Sequence, residues 1–402
     1  MSTLEEVFEE TYGSPPTLLV RAPGRVNLIG EHIDYNGLPV FPMALQHEVR
    51  LALRPRDDET VRLHSNDQRF PPIHFEIEPA IEPWKKGSWG NYAKAPAQEL
   101  AERFGIWQGF DGVLESDIPV AAGLSSSSAI VNAVGLALAH ISEVSTEPRS
   151  LAAVMADAER YVGTQGGGMD QAISLGARDR CAAKITFHPL RLRHVVVPDD
   201  WCFIVADSGD VAEKSGALQA AYNLRRKECD EALRVMTAHL ATEKITAQLC
   251  MSYPDLCGTI DAETLIKISE QVLQGSLLRR FRHAVTEAAR VDEAVDRMLA
   301  ADVHGFGALM DASHASLKTD YHVSTAALDE LVAVAKEGGA AGARLTGAGF
   351  GGCVVVLASR WTVGEVLETL VTEYFERRHQ AERLEERLFV AVPCRGASIR
   401  EI

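Results

Sequence analysis

The chain opens with short apolar runs broken by glycine and turns to longer helical periods further on. Between residues 17 and 56 the runs TLLVRAP, GRVNLIG, LPVFPMAL and EVRLALRP have strand character, with Gly24, Gly30 and Gly37 placed as turns. Residues 61–65 and 73–77 read as two further strands, and Pro71-Pro72 forbids a helix between them. An acidic stretch at 2–10 predicts a short N-terminal helix. Residues 88–104 carry a helical period that stops at Gly105, and 109–115 form a strand leading into a loop. Residues 130–141 are apolar almost all round, which marks a buried helix. Helices at 148–162 and 169–176 flank a glycine-rich break at 163–168.

Strands at 182–187 and 194–197 precede Pro198-Asp199-Asp200, a turn that divides the chain into lobes 1–198 and 199–402. Beyond it lie a strand at 202–207 and a long helix at 211–240, with Leu224, Leu233, Met236 and Leu240 near one face. Residues 260–338 are mostly helical, and 354–357 and 388–392 are strands around one more helix. Mixed strands, then helices, then strands again predict an α+β fold in two lobes, with mixed sheets and packed helices.

A length of 402 residues agrees with two cores. The formal net charge of −16, with no basic tail, argues against nucleic acid as a partner and leaves any bound nucleotide to local features. The seven cysteines show no metal-like pairing. Their odd number, the lack of a signal peptide and the lack of an apolar run of membrane length predict a reduced, soluble, cytoplasmic protein without a membrane partner. The sequence is compatible with a monomer.

Three glycine-rich stretches carry the chemistry. In the first, Gly123-Leu124-Ser125-Ser126-Ser127-Ser128 stands directly before the buried helix. Unpaired N–H groups at a helix start, with the positive end of its dipole, form an anion seat that suits phosphate. The plainer alternative is a serine-rich turn that caps a core helix. In the second, an apolar strand delivers Glu31, His32 and Asp34 onto a Tyr-Asn-Gly turn. So many donors and acceptors in a small space suit a polyol, although a charged surface hairpin would look similar. Further on, Asp170 opens a helix after three glycines, either as a first-turn acid or as a base for a substrate hydroxyl. The third stretch, 347–352, reads on its own as a structural hairpin, although two such loops could close on one ligand from opposite lobes.

Taken in this order, the motifs resemble those of the GHMP small-molecule kinases, and the segment from Gly24 to Gly37 is similar to the galactokinase signature. Ser313 to Leu317 and Asp320 to Ser324 also look like a galactokinase segment, so the resemblance spans nearly the whole chain. It implies a two-lobed kinase with its active site between the lobes, ATP and Mg²⁺ as cofactors, and phosphorylation of galactose at the anomeric C1 hydroxyl. By the same resemblance Gly123, Leu124, Ser125, Ser126, Ser127 and Ser128 would wrap the nucleotide phosphates. Ser126 or Ser127, together with Glu159, would hold Mg²⁺. Asp170 would be the catalytic carboxylate and Arg25 its partner. Glu31, His32, Asp34, Asp170 and Tyr222 would read the sugar, and Trp89 and Tyr92 would line the adenine side.

Departures from the galactokinase pattern point elsewhere. His32-Ile33-Asp34-Tyr35 replaces the usual His-Thr-Asp-Tyr, and the segment from Glu159 to Gln171 is similar to that of the N-acetylgalactosamine kinases. Tyr222 favours galactose, because the N-acetylgalactosamine enzymes place Phe there. A further alternative is a sensor that binds galactose and ATP without catalysis. Such relatives lack two residues of the serine loop, which is full length here.

Overall fold

In the computed structural model, which describes residues 3–119, 122–145, 147–210, 217–245 and 250–402, two sheets organise the chain. The first uses β1 (Leu18–Ile29), β2 (Phe41–Pro55), β3 (Thr60–Ser65), β4 (Ile73–Glu76) and β5 (Phe110–Ser116). A hairpin of β6 (Cys181–Thr186) and β7 (Arg191–Val196) follows it. The second sheet is built from β8 (Trp201–Asp207), β9 (Gly342–Leu345), β10 (Cys353–Ser359) and β11 (Leu388–Ala391), in the antiparallel order β11-β8-β10-β9. A last strand, β12 (Ser398–Glu401), returns to the edge of the first sheet, whose order is β12-β1-β2-β5-β3-β4. Residues grouped by sequence with 199–402 therefore end in the first lobe. Among the described strands only β3 and β5 pair in parallel.

The four strand runs predicted between 17 and 56 are two long strands, and the first is unbroken because Gly24 is not a turn. It sits in a bulge of β1, where the register against β2 shifts between Pro23 and Arg25. A Cβ there would lie 2.9 Å from the carbonyl oxygen of Leu124, so the missing side chain lets the serine loop approach the strand. The Arg25 N–H donates to that same oxygen at 3.1 Å.

Alternation sorts the first sheet into two faces. Leu19, Ala52 and Val113 pack under the helix Leu4–Tyr12, with Leu4 and Phe8. Val20, Leu51 and Leu114 face the opposite way, into an apolar core that is continuous with the second sheet. The helix Ser126–Ile141 crosses that inner face against β1 and β2, and its buried residues lie on nearly every side. The second sheet is covered by Val303–Ser316 and Ala326–Glu337.

The long helix is described over Ala217–Thr242; the expected start at 211–216 lies outside the described residues. Its buried stripe is Cys229, Ala232, Met236 and Leu240, and Leu224 is exposed. Two short strands, β9 and β12, escaped the sequence reading. Among the described residues, no helix is long and apolar enough to cross a membrane.

Candidate active site

A cavity of about 100 Å³ lies where loops of the two lobes converge. β1 and the turn after it contribute Arg25, Glu31, His32 and Asp34; the serine loop contributes Gly123. Glu159, Gly166 to Asp170, Tyr222 and Gly347 to Phe350 complete most of the wall. All five residues predicted to read the sugar thus meet in one place, together with Arg25 and Glu159.

Arg25 and Asp170 form its charged centre. Nε of Arg25 donates to Oδ1 of Asp170 at 2.7 Å and Nη2 to Oδ2 at 3.2 Å, a bidentate pair. Nη1 of the same guanidinium donates to the Gly123 carbonyl at 2.6 Å, so one side chain ties the carboxylate to the serine loop. Burial works against the charge of Arg25, but Asp170 and then Glu31 more than offset it and hold the guanidinium above its ordinary value. Ser125 adds a hydroxyl bond to Oδ2 of Asp170. This serine has φ 62°, a left-handed angle costing a non-glycine residue about 1–3 kcal/mol. Its side chain therefore does not cap the following helix. The plain capping turn is ruled out at this residue.

The sugar signature is held from behind. Oε1 of Glu31 accepts from the Gly347 N–H and Oε2 from Nδ2 of Asn27. Burial pushes the Glu31 carboxyl above the usual range, with Arg344 and then Arg25 pulling it back down. Asp34 is raised by burial and next by the charge of Asp170, while it accepts from the Gly167 N–H at 3.1 Å. Burial also keeps the Tyr222 phenol protonated, and among the described residues its hydroxyl has no hydrogen-bond partner.

The structure gives several of the expected residues protein partners of their own. The serine facing Glu159 is Ser128, whose Oγ lies 2.5 Å from Oε1, rather than Ser126 or Ser127. One helical turn places every third or fourth residue on the same face, and the helix begins at Ser126, which aims Ser128 inward. His32 lines the cavity, but both its ring nitrogens bond to protein: Nε2 to the Ala348 carbonyl at 3.0 Å and Nδ1 to the Tyr35 hydroxyl at 3.1 Å. A carbonyl can only accept, so Nε2 carries the proton and Nδ1 accepts from Tyr35. Burial, with His283 next, lowers the His32 pKa to about 3, which fixes this neutral tautomer. Trp89 and Tyr92 do not line the cavity, and the indole N–H of Trp89 donates to the Pro71 carbonyl at 3.0 Å.

Sequence reasoning missed Thr164, Gln171 and Gln219 in the cavity wall. Thr164 lies inside the glycine-rich break at 163–168 and Gln171 directly follows Asp170, whereas Gln219 stands in a helix with no local signal to mark it. The third glycine stretch, read alone as a hairpin, lines the cavity as well.

Comparison with known proteins agrees with this geometry. Residues 6–55 match the galactokinase galactose-binding signature, 91–177 the GHMP kinase N-terminal domain and 288–388 the GHMP kinase C-terminal domain. The galactokinase of Chloroflexus aggregans is 38% identical over 93% of this chain and 92% of its own. That of a Roseiflexus species is 36% identical over 93% and 91%. A crystal structure of Lactococcus lactis galactokinase complexed with galactose superposes with a TM-score of 0.87 at 29% identity, covering 98% of both chains. Methanococcus jannaschii mevalonate kinase, at 18% identity and a TM-score of 0.61 over 95% of this chain and 99% of its own, shares the fold. The chain belongs to the galactokinase family of the GHMP kinases.

Proposed function

We propose that this protein transfers the γ-phosphoryl group of ATP to the anomeric C1 hydroxyl of galactose, giving galactose 1-phosphate and ADP. The observation that carries the reading is the Arg25–Asp170 pair, bonded to the serine loop on one side and opening onto the sugar signature on the other. The C1 oxygen attacks phosphorus as the bond to the ADP oxygen breaks, and its proton leaves toward Asp170. Phosphoryl transfer depends mostly on alignment and charge compensation, so Asp170 acts by orienting this hydroxyl and accepting its proton late. Arg25 keeps that carboxylate ionised and steadies charge on the transferred group.

Gly123 to Ser128 at the helix start are assigned to the nucleotide phosphates. Mg²⁺ fits beside them: Ser128 and Glu159 supply oxygen donors, and Oγ of Ser128 is also 3.5 Å from Oδ2 of Asp170. Bound Mg²⁺ would neutralise phosphate charge. Glu31, Asp34 and the Tyr222 hydroxyl are assigned to sugar hydroxyls, with His32 holding the loop at Ala348. Trp89 and Tyr92, at the start of the helix Asn91–Phe104 that packs on Ser126–Ile141, are assigned to the adenine side.

The test is to incubate pure protein with Mg-ATP and, in turn, galactose, N-acetylgalactosamine, arabinose, glucose and galacturonic acid. ADP release is followed, and the phosphorylated carbon is identified by phosphorus NMR. Turnover of galactose at C1 is expected. Preference for N-acetylgalactosamine would replace the substrate, and binding without ADP release would make the protein a sensor.

A further inference from the structure

Arg344, on β9, is among the described residues the largest side chain with no exposure to solvent. It does not line the cavity, and nothing so far gives it a task. Its surroundings are specific. Nη1 donates to the Asn27 carbonyl at 2.8 Å, and Nη2 lies 3.4 Å from Oε2 of Glu31. Two residues further along, Oγ1 of Thr346 donates to the Asn27 carbonyl and accepts from its N–H, both at 3.1 Å. The next residue, Gly347, gives its N–H to Oε1 of Glu31. One short segment therefore grips the sugar strand at its backbone and at its carboxylate together.

The donors around Glu31 are all of one kind. Gly347 N–H, Asn27 Nδ2 and Arg344 each present hydrogens, and among the described residues no acceptor faces the carboxyl group. That is a setting for an ionised carboxylate, since a protonated one would need an acceptor for its own hydrogen. The wider ring includes Arg25 on β1 and Glu287, which also feels Arg344 and is itself paired with Arg290 at 2.7 Å. His32, His283 and His314 complete it: His283 bonds through Nε2 to the Glu31 carbonyl, and the charge of Arg344 acts on His32 and His314. Burial lowers all three histidines, leaving the arginines as the cations facing Glu31.

We infer that Arg344 is a positioning residue for the sugar: it keeps Glu31 ionised and aimed into the cavity, and seats the Gly347 loop against the sugar strand without touching substrate. The inference rests on the sugar-kinase reading above. The two fail differently: absence of sugar turnover in the unmodified protein would remove that reading, whereas this inference is judged on variants of an active enzyme.

Arg344→Met should raise the galactose KM about tenfold or more, through the loss of one buried ion pair, and leave the Mg-ATP KM within about twofold. Without its arginine, Glu31 titrates higher, so galactose KM in the variant should climb as pH falls from about 8.5 to about 6, more steeply than in the unmodified enzyme. Adding Glu31→Gln to that variant should abolish the extra slope, and Arg344→Lys, which restores the charge but not the fork, should reduce it. Equal rises in both KM values with parallel pH profiles would overturn the inference and leave Arg344 a structural residue. Should neither Arg344 variant fold, calorimetry on the unmodified enzyme decides. Galactose binding in buffers of different ionisation enthalpy should exchange no proton that Glu31→Gln removes, and such an exchange would overturn the inference.

Discussion

Two glycine-rich loops meet at this site and use their polar groups differently. The serine loop turns three groups toward the site's charged residues: the Gly123 carbonyl to Arg25, Ser125 to Asp170 and Ser128 to Glu159. The other loop shares its groups between the sugar signature and the surrounding fold. Gly347 N–H goes to Glu31, Ala348 carbonyl to His32, Phe350 N–H to Val323 carbonyl at 2.7 Å and Gly352 N–H to Asp210 carbonyl at 2.9 Å. Gly347, Gly349, Gly351 and Gly352 all stand at positive φ. The first loop is tied to the charged side chains of the site, whereas the second divides its bonds between the site and the fold around it. Glycine content alone cannot tell these apart; the neighbouring residues can.

The largest effect should come from the serine loop's partner. Asp170→Asn should lower ADP release with galactose about 10³-fold while ATP binding, followed by calorimetry, changes little. Because Arg25 is buried beside it, the variant should also melt lower, by the equivalent of about 3–5 kcal/mol if no new partner is found. Near-normal turnover would take Asp170 out of its role and make both loops architectural.

The second loop offers a paired test. Gly347→Ala would set a Cβ 2.7 Å from the Gly123 carbonyl oxygen, at φ 84°. Gly339→Ala has φ 89° and no atom within 4 Å of the added carbon. The first should cost about 3 kcal/mol in chemical denaturation and raise the KM of both substrates, because it pushes the two loops apart. The second should cost only the backbone strain, about 1 kcal/mol, with kinetics intact. Equal costs would mean that the loops do not press on one another.

Ser128→Ala should raise the Mg²⁺ concentration needed for half-maximal rate about tenfold, and Ser127→Ala by less than about twofold. The reverse order would restore the serine first expected from the sequence. Smaller still, Tyr222→Phe should raise the galactose KM about fivefold and that of N-acetylgalactosamine less, the loss of one neutral hydrogen bond.

A pH series reads the buried histidines. Burial holds His32 near 3 and His283 near 4, both below the ordinary 6.5. The unfolded chain therefore takes up protons that the native one refuses. Stability present above about 6.5 should fall as pH drops toward 4, by up to about 1.4 kcal/mol per unit for each histidine. Glu31 and Asp34, raised by burial, act in the opposite sense over part of that range. The histidine share is therefore the difference between the unmodified enzyme and His283→Gln in denaturant midpoints.

Much of this was legible beforehand, for identifiable reasons. The two-lobed α+β order came through because long apolar periods and glycine breaks are local signals. Glu31, Asp34 and Asp170 stood out because carboxylates beside apolar strands and helix starts are costly to leave idle. What stayed hidden was set by distance along the chain. Gly24 looked like a turn because its true neighbour, the Leu124 carbonyl, is 100 residues away. The bond of His32 to the Ala348 carbonyl, 316 residues along, was equally invisible. Ser128 differs from Ser126 and Ser127 only in where the helix begins. Arg344 carried no signal at all, since a lone arginine in a strand is unremarkable until its burial is known.

The return of β12 to the side of β1 has a consequence for how the protein is made. β1 is finished early in translation, yet its outer neighbour, paired from Leu18 with Glu401 to Arg21 with Ser398, is synthesised some 380 residues later. While the ribosome is still working, the strand that carries Arg25 and leads to Glu31 has one free edge, open to chaperones or to the same edge of another nascent chain. Final closure of the first sheet is thus timed to the emergence of residue 401. Premature termination or proteolytic trimming there would leave every proposed catalytic side chain present on a sheet that lacks its last seam.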